Sequence, residues 1–115
     1  MNVNLIYCAL CFVTLHLMVW FSANLQLVNE YWEQHSIYLT VSLALPITLL
    51  AYHGTRLGYT ALGESAWGVR FFAFALSYLV FPFLTYYFLN ESMFTFKTML
   101  CVILSFAILA IQIFM

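Results

Sequence analysis

The stretch Leu49–Arg70, LLAYHGTRLGYTALGESAWGVR, decides how the chain reads. It holds all four glycines and two of the three basic residues, Arg56 and Arg70, together with His53 and Glu64. Long, almost uncharged apolar runs flank it on both sides. The chain therefore divides into two hydrophobic halves joined at a short polar centre. Each half is long enough for two helices of about 20 apolar residues, the length that crosses a bilayer.

Composition points the same way. Of the 115 residues, 66% are hydrophobic and only 6% charged, whereas a water-facing surface carries roughly 25–35% charged side chains. The expected fold is all-α: an integral membrane four-helix bundle with short connectors, one domain over 1–115. Its spans are expected at about 5–25, 36–53, 67–89 and 94–114. The N-terminus lacks a positive n-region and a small-residue cleavage motif, so the first run reads as a retained span and not a signal peptide. A net charge of −1 without charge runs gives no footing for nucleic acid or a polybasic anchor; the expected partner is the lipid bilayer.

Working outward from the centre, the second span contains Pro46, which has no N–H to donate, so a kink or local unwinding is expected there. Ser42, Pro46, Leu49 and His53 share its helical face. Gly54 and Gly58 stand four apart, a spacing that permits close helix approach; at the end of the expected span they read instead as simple termination. Ser65 is placed to cap the third helix, with Glu64 near its positive end. In the third span Tyr78, Pro82 and Tyr86 recur at steps of four, with Ser77 and Thr85 beside them. Arg70 lies one turn in, within snorkelling reach of the headgroups.

The first span places Phe12, His16, Trp20 and Asn24 at i+4 steps. An aromatic and polar face of this kind belongs toward the protein interior, because unpaired polar groups in hydrocarbon are costly. The connector 26–35 carries Tyr31 and Trp32, which suit the aromatic belt at the lipid–water boundary. After a tight turn at Asn90–Ser92, the fourth span has only Ser105 in its middle and reads as a packing or lipid-facing helix. Arg56 and Arg70 lie on the side of both termini and Lys97 on the other, which places the termini in the cytoplasm by the positive-inside rule.

Cys8, Cys11 and Cys101 form an odd set inside apolar runs, so no disulfide framework is expected. Cys8-Ala-Leu-Cys11 lacks a second ligand pair, so no metal is expected, nor any cofactor. No nucleophile motif, phosphate loop or pair of embedded carboxylates is present, and enzymatic activity is not expected.

Two segments, LLAYHGTRLGY at 49–59 and YYFLNESMFT at 86–95, carry a family resemblance. With an aromatic-rich third span and a plain fourth, the layout resembles the drug/metabolite transporter superfamily, in particular its short four-span members akin to the small multidrug resistance proteins. Arg56, Gly58 and Tyr59 match an Arg-x-Gly-Tyr segment after the second span. Trp20-Phe21 resembles an aromatic pair late in the first span, and Asn90-Glu91 matches in part an acidic step between the last two spans. The resemblance implies a homodimer or larger oligomer. Two departures limit it. The first span has no embedded glutamate, so the proton-coupled mechanism does not carry over, and the fourth lacks a glycine-rich dimerisation face.

The candidate substrate pathway is His16, Trp20, Tyr78 and Tyr86, with Pro46 and Pro82 as bending points. An intramembrane ionisable residue is a functional candidate by default, and imidazole titrates near neutral pH. The plainer reading of His16 is a neutral ring bonded to Tyr78, Ser77 or a carbonyl of a neighbouring helix. That of the aromatic residues is ordinary packing. The expected function is transport of a small organic solute by alternating access. The alternative is a non-catalytic accessory subunit of a larger membrane complex, packing against partner helices, lipid or pigment.

Overall fold

In the computed structural model, which describes residues 3–114, the chain is helical throughout its ordered elements. Helix α1 covers Val3–Asn24 and continues as a 3-10 turn over Leu25–Leu27. Helix α2 covers Glu30–Ala61. The third span is composite: α3 (Ala66–Leu76), a 3-10 turn (Ser77–Leu79) and α4 (Phe81–Leu89). Helix α5 covers Phe96–Phe114. Four helical segments, Val3–Leu27, Glu30–Ala61, Ala66–Leu89 and Phe96–Phe114, are long and apolar enough to cross a membrane.

Helix α2 departs most from expectation, being extended at both ends. Residues 30–35, expected in a connector, form its opening turns. Asn29 adopts an extended backbone and its side chain accepts from the Trp32 N–H at 3.0 Å. Glu30 and Glu33 occupy the first turn, next to the positive end of the helix dipole. At the far end the helix does not stop at Gly54 or Gly58. It runs to Ala61, and the stop is Gly63, whose φ of +71° is readily reached by glycine alone. Glu64 follows at φ +59° and its N–H returns to the Tyr59 carbonyl at 2.7 Å, closing a Schellman motif. Ser65 then caps α3, accepting from the Gly68 N–H at 2.9 Å.

Gly54 and Gly58 instead form the seam between helices, correcting the reading of them as terminators. Both are buried. A Cβ at Gly54 would meet Cys11 Cβ and the Phe12 ring at 3.2 Å, and one at Gly58 would meet Cys8 Sγ at 2.8 Å and Val69 at 3.2 Å. Gly58 thus lies where α1, α2 and α3 converge. Around this point sits the core of Cys8, Phe12, Leu15 and Val69, with Ile47, Leu50, Leu57 and Phe72 packed against it. The inward stripe of α2 therefore runs through Ile47, Leu50, Gly54 and Gly58. Ser42, Leu49 and His53, expected on a shared face with Pro46, are exposed.

The two prolines behave differently. Helix α2 passes through Pro46 without interruption, so the local unwinding expected there does not occur. The interruption falls before Pro82, which sits in the first turn of α4 and cannot donate to the Tyr78 carbonyl one turn earlier. The chain responds with a 3-10 turn, closed by the Val80 N–H on Ser77 O at 3.1 Å.

Helix α1 is flanked by α2 on one side and by α3 and α4 on the other, while α5 packs chiefly on α3. The molecule is a slab of 46 × 37 × 19 Å, about two helix diameters thick. Large apolar side chains cover its outside, among them Ile37, Val41, Leu45, Ile103 and Ile111, all more than half exposed. A contiguous apolar surface of this size marks contact with a membrane or with other protein rather than with water.

Candidate functional site

The α1 face carrying Phe12, His16, Trp20 and Asn24 does meet α3 and α4, and each polar group on it has a defined partner or cavity. His16 Nε2–H donates to the Ala73 carbonyl at 2.9 Å. That carbonyl lies in the last turn of α3, where the backbone N–H of Ser77 is shared among the Ala73, Phe74 and Ala75 oxygens. Loosened helical bonding leaves an acceptor free to take a side chain, so the plainer expectation for His16 describes its geometry.

Trp20 is only 2% exposed. Its Nε1–H donates to Thr85 Oγ1 at 3.0 Å, and its ring packs against Phe21 and Phe88 with centroids 5.4 and 5.3 Å away. Phe21 and Phe88 also meet edge to face, at 5.8 Å. A buried indole with a satisfied N–H and neighbours on both sides is an anchor for α4.

Tyr78 takes part in a short relay. Ser105 Oγ donates to the Cys101 carbonyl at 2.9 Å, which leaves Ser105 as acceptor and the Tyr78 hydroxyl as donor across 2.9 Å. This bond ties the third span to α5. Ser105 is an isolated hydroxyl in an apolar run, and that isolation is the sequence signal for a polar partner on a neighbouring helix. Tyr86 does not join the group. It is 62% exposed, because steps of four carry a face onward only along a continuous α-helix, and the 3-10 turn resets the phase of α4.

The segment Arg56, Gly58, Tyr59 likewise divides between two faces. Gly58 is buried in the helix seam, while Arg56 and Tyr59 point outward.

Two cavities follow the α1–α4 boundary. The smaller, about 110 Å³, is bounded by His16, Trp20, Asn24, Ser77 and Phe81. The larger, about 320 Å³, lies between the end of α1, α4, the 90–95 linker and α5, and Asn24, Tyr78, Thr85, Glu91, Ser92 and Thr98 contribute its polar lining. Asn24 and Phe81 border both. The larger cavity is at the lower end of the range for small-molecule pockets, roughly 300–1,000 Å³, and combines apolar walls with a few polar groups as such pockets do. Glu91 is its one charged group. From the sequence Glu91 reads as a turn residue. The turn itself brings it to the cavity: Asn90 takes φ +57° and its N–H returns to Thr85 and Tyr86, which folds the linker back over α4.

Among the described residues no three His, Cys, Asp or Glu side chains gather to hold a metal ion, and no buried side-chain nitrogen or oxygen lacks a partner. Cys8, Cys11 and Cys101 are free thiols. No protein-family model matches the chain, and neither a curated protein nor a solved structure matches it.

Proposed function

We propose that the chain is a four-span integral membrane protein that admits a small organic solute to the cavity beside Tyr78, Thr85 and Glu91. It moves the solute as a homodimer or larger oligomer, in the manner of the short four-span drug/metabolite transporters it resembles. The observation that carries this reading is the 320 Å³ cavity with a single carboxylate at its edge, opening beside the smaller one that His16 and Trp20 border. A slab 19 Å thick encloses too little volume for a gated path, so a second copy completes it. Both termini face the cytoplasm, as the basic residues of the central stretch direct.

The accessory-subunit reading is favoured by a different observation. His16 and Trp20 of the α1 face are already bonded within the chain, and Val102 is the one residue of α5 that is buried. One experiment separates the two: the native mass after extraction in mild detergent, with co-purifying chains identified, followed by uptake of a panel of small neutral and charged solutes into proteoliposomes. A discrete homo-oligomer, and uptake abolished by Thr98→Trp in the cavity wall, supports transport. Recovery in fixed ratio with larger unrelated subunits, or uptake that Thr98→Trp leaves unchanged, overturns it.

A further inference from the structure

The transport reading leaves Arg56, an exposed charge on α2, without a role. Its surroundings are specific. A shallow open furrow of about 650 Å³ runs along the outer face of α2, lined by Thr48, Tyr52, Thr55, Arg56, Tyr59 and Thr60. No carboxylate lines it. Tyr52, Arg56 and Tyr59 stand at i, i+4 and i+7, one stripe of the helix, with Tyr52 and Tyr59 58% and 43% exposed. The Thr60 hydroxyl is already committed to the Arg56 carbonyl at 3.3 Å and that of Thr48 to Ala44 at 2.8 Å. Tyr52, Thr55 and Tyr59, whose side chains also bear hydroxyls, line the same furrow as Arg56. The same stripe continues toward the N-terminal end of α2 as Leu45 and Val41, 68% and 71% exposed.

We infer that this furrow seats one anionic phospholipid. Arg56 takes the headgroup phosphate, the flanking hydroxyls complete its hydrogen bonding, and an acyl chain lies along Leu45 and Val41. Three observations converge on a lipid. First, the furrow carries one positive charge and no negative one. A planar guanidinium binds phosphate through two parallel bonds, stronger than neutral ones. Second, the level is right. Arg56 lies 19 residues beyond Ile37, where the apolar run of α2 begins, a rise of roughly 28 Å at 1.5 Å per residue. That is close to the roughly 30 Å of a bilayer's hydrocarbon core, which sets Arg56 at one headgroup layer. Third, polar and apolar lining meet along a single stripe, in the order that a headgroup and its chain require. Arg70 supplies the internal contrast. It is exposed near the same end of the molecule, but its neighbours one turn away are Trp67 and Phe74, 68% and 53% exposed, which offer no comparable set of hydroxyls.

The inference rests on the membrane placement proposed above, and its test distinguishes the two. The full chain is assembled into nanodiscs of equal parts phosphatidylcholine and phosphatidylglycerol, released in the mass spectrometer, and the retained lipids are counted. The expected result is retention of one phosphatidylglycerol in preference to phosphatidylcholine. Arg56→Gln lowers that preference about tenfold, the loss of one charge-assisted pair. Arg56→Lys lowers it less, and Arg70→Gln leaves it unchanged. Circular dichroism of Arg56→Gln matches the parent, because the side chain is exposed. Equal losses for Arg56→Gln and Arg70→Gln, or equal retention of the two lipids by the parent, overturn the furrow while leaving the membrane reading intact. Displacement of the lipid by soluble glycerol phosphate would make the site a general anion site and also overturn it. Failure of the chain to enter the nanodisc overturns both.

Discussion

Gly58→Ala tests the packing of α1, α2 and α3 most directly. The added Cβ would stand 2.8 Å from Cys8 Sγ and 3.2 Å from Val69, and neither group can rotate freely because both are buried. Overpacking of this kind costs about 1–3 kcal/mol. Against it stands the preference of a helix for alanine over glycine, about 1 kcal/mol. The net loss for the single variant is therefore about 0–2 kcal/mol, too broad to decide anything alone. A double-mutant cycle with Cys8→Ala isolates the clash. Removing Sγ leaves Val69 as the remaining close neighbour, so Gly58→Ala is tolerated better in the Cys8→Ala background, with a coupling of about 1 kcal/mol or more. The four variants are unfolded reversibly in mixed micelles of rising dodecyl sulfate fraction and followed by circular dichroism. Gly63→Ala serves as contrast: nothing lies within 4 Å of its Cβ, yet its φ of +71° strains any side chain. It destabilises by about 1–2 kcal/mol without coupling to Cys8. Coupling of Gly58→Ala to Cys8→Ala below the ~0.5 kcal/mol scatter of additive sites would refute the convergence of three helices at Gly58.

Two further perturbations address the third span. Thr85→Val strips the acceptor from the buried Trp20 indole and is expected to destabilise by about 1–3 kcal/mol, while Thr85→Ser restores most of it; the indole N–H resonance of Trp20 moves upfield in the valine variant alone. Pro82→Ala returns an N–H to face the Tyr78 carbonyl and is expected to fuse α3 and α4 into one helix. Helical dichroism rises, and a cysteine at position 86 becomes less reactive toward a membrane-permeant maleimide as the α4 face rotates inward.

The spans were legible because composition and length constrain them: an uncharged apolar run near 20 residues has few alternatives. Helix ends were not. Glu30, Glu33, Gln34 and His35 look like connector residues one at a time, but acidic residues beside a capping Asn29 describe a helix start, a pattern visible only when the cap is read with the turn that follows. Gly54 and Gly58 were misjudged because a glycine terminates a helix only where the backbone turns left-handed. Gly63 does so, two residues before the capping Ser65, whereas Gly58 stays within the helix against Cys8 of another helix. Among candidate site residues, the inward face of α1 was readable from period alone. The third-span face failed at Tyr86 because the period assumed an unbroken helix, although Pro82 gave warning of the break.

The position of His16 bears on how a solute path would operate. His16 holds α1 to the Ala73 carbonyl in the last turn of α3, before the 3-10 turn, and Trp20 holds α1 to Thr85 in α4, after it. The turn is thus pinned on both sides to the same helix, and Phe81, like Asn24, lines both cavities. Were a solute path to join the two cavities, the backbone beside Phe81 most able to yield is the 3-10 turn Ser77–Leu79, which Pro82 follows in the first turn of α4. Pro46, inside an unbroken helix, has no comparable freedom. The two side-chain bonds that pin the turn, His16 to the Ala73 carbonyl and Trp20 to Thr85, are therefore the bonds that a hinge motion at this turn would have to release.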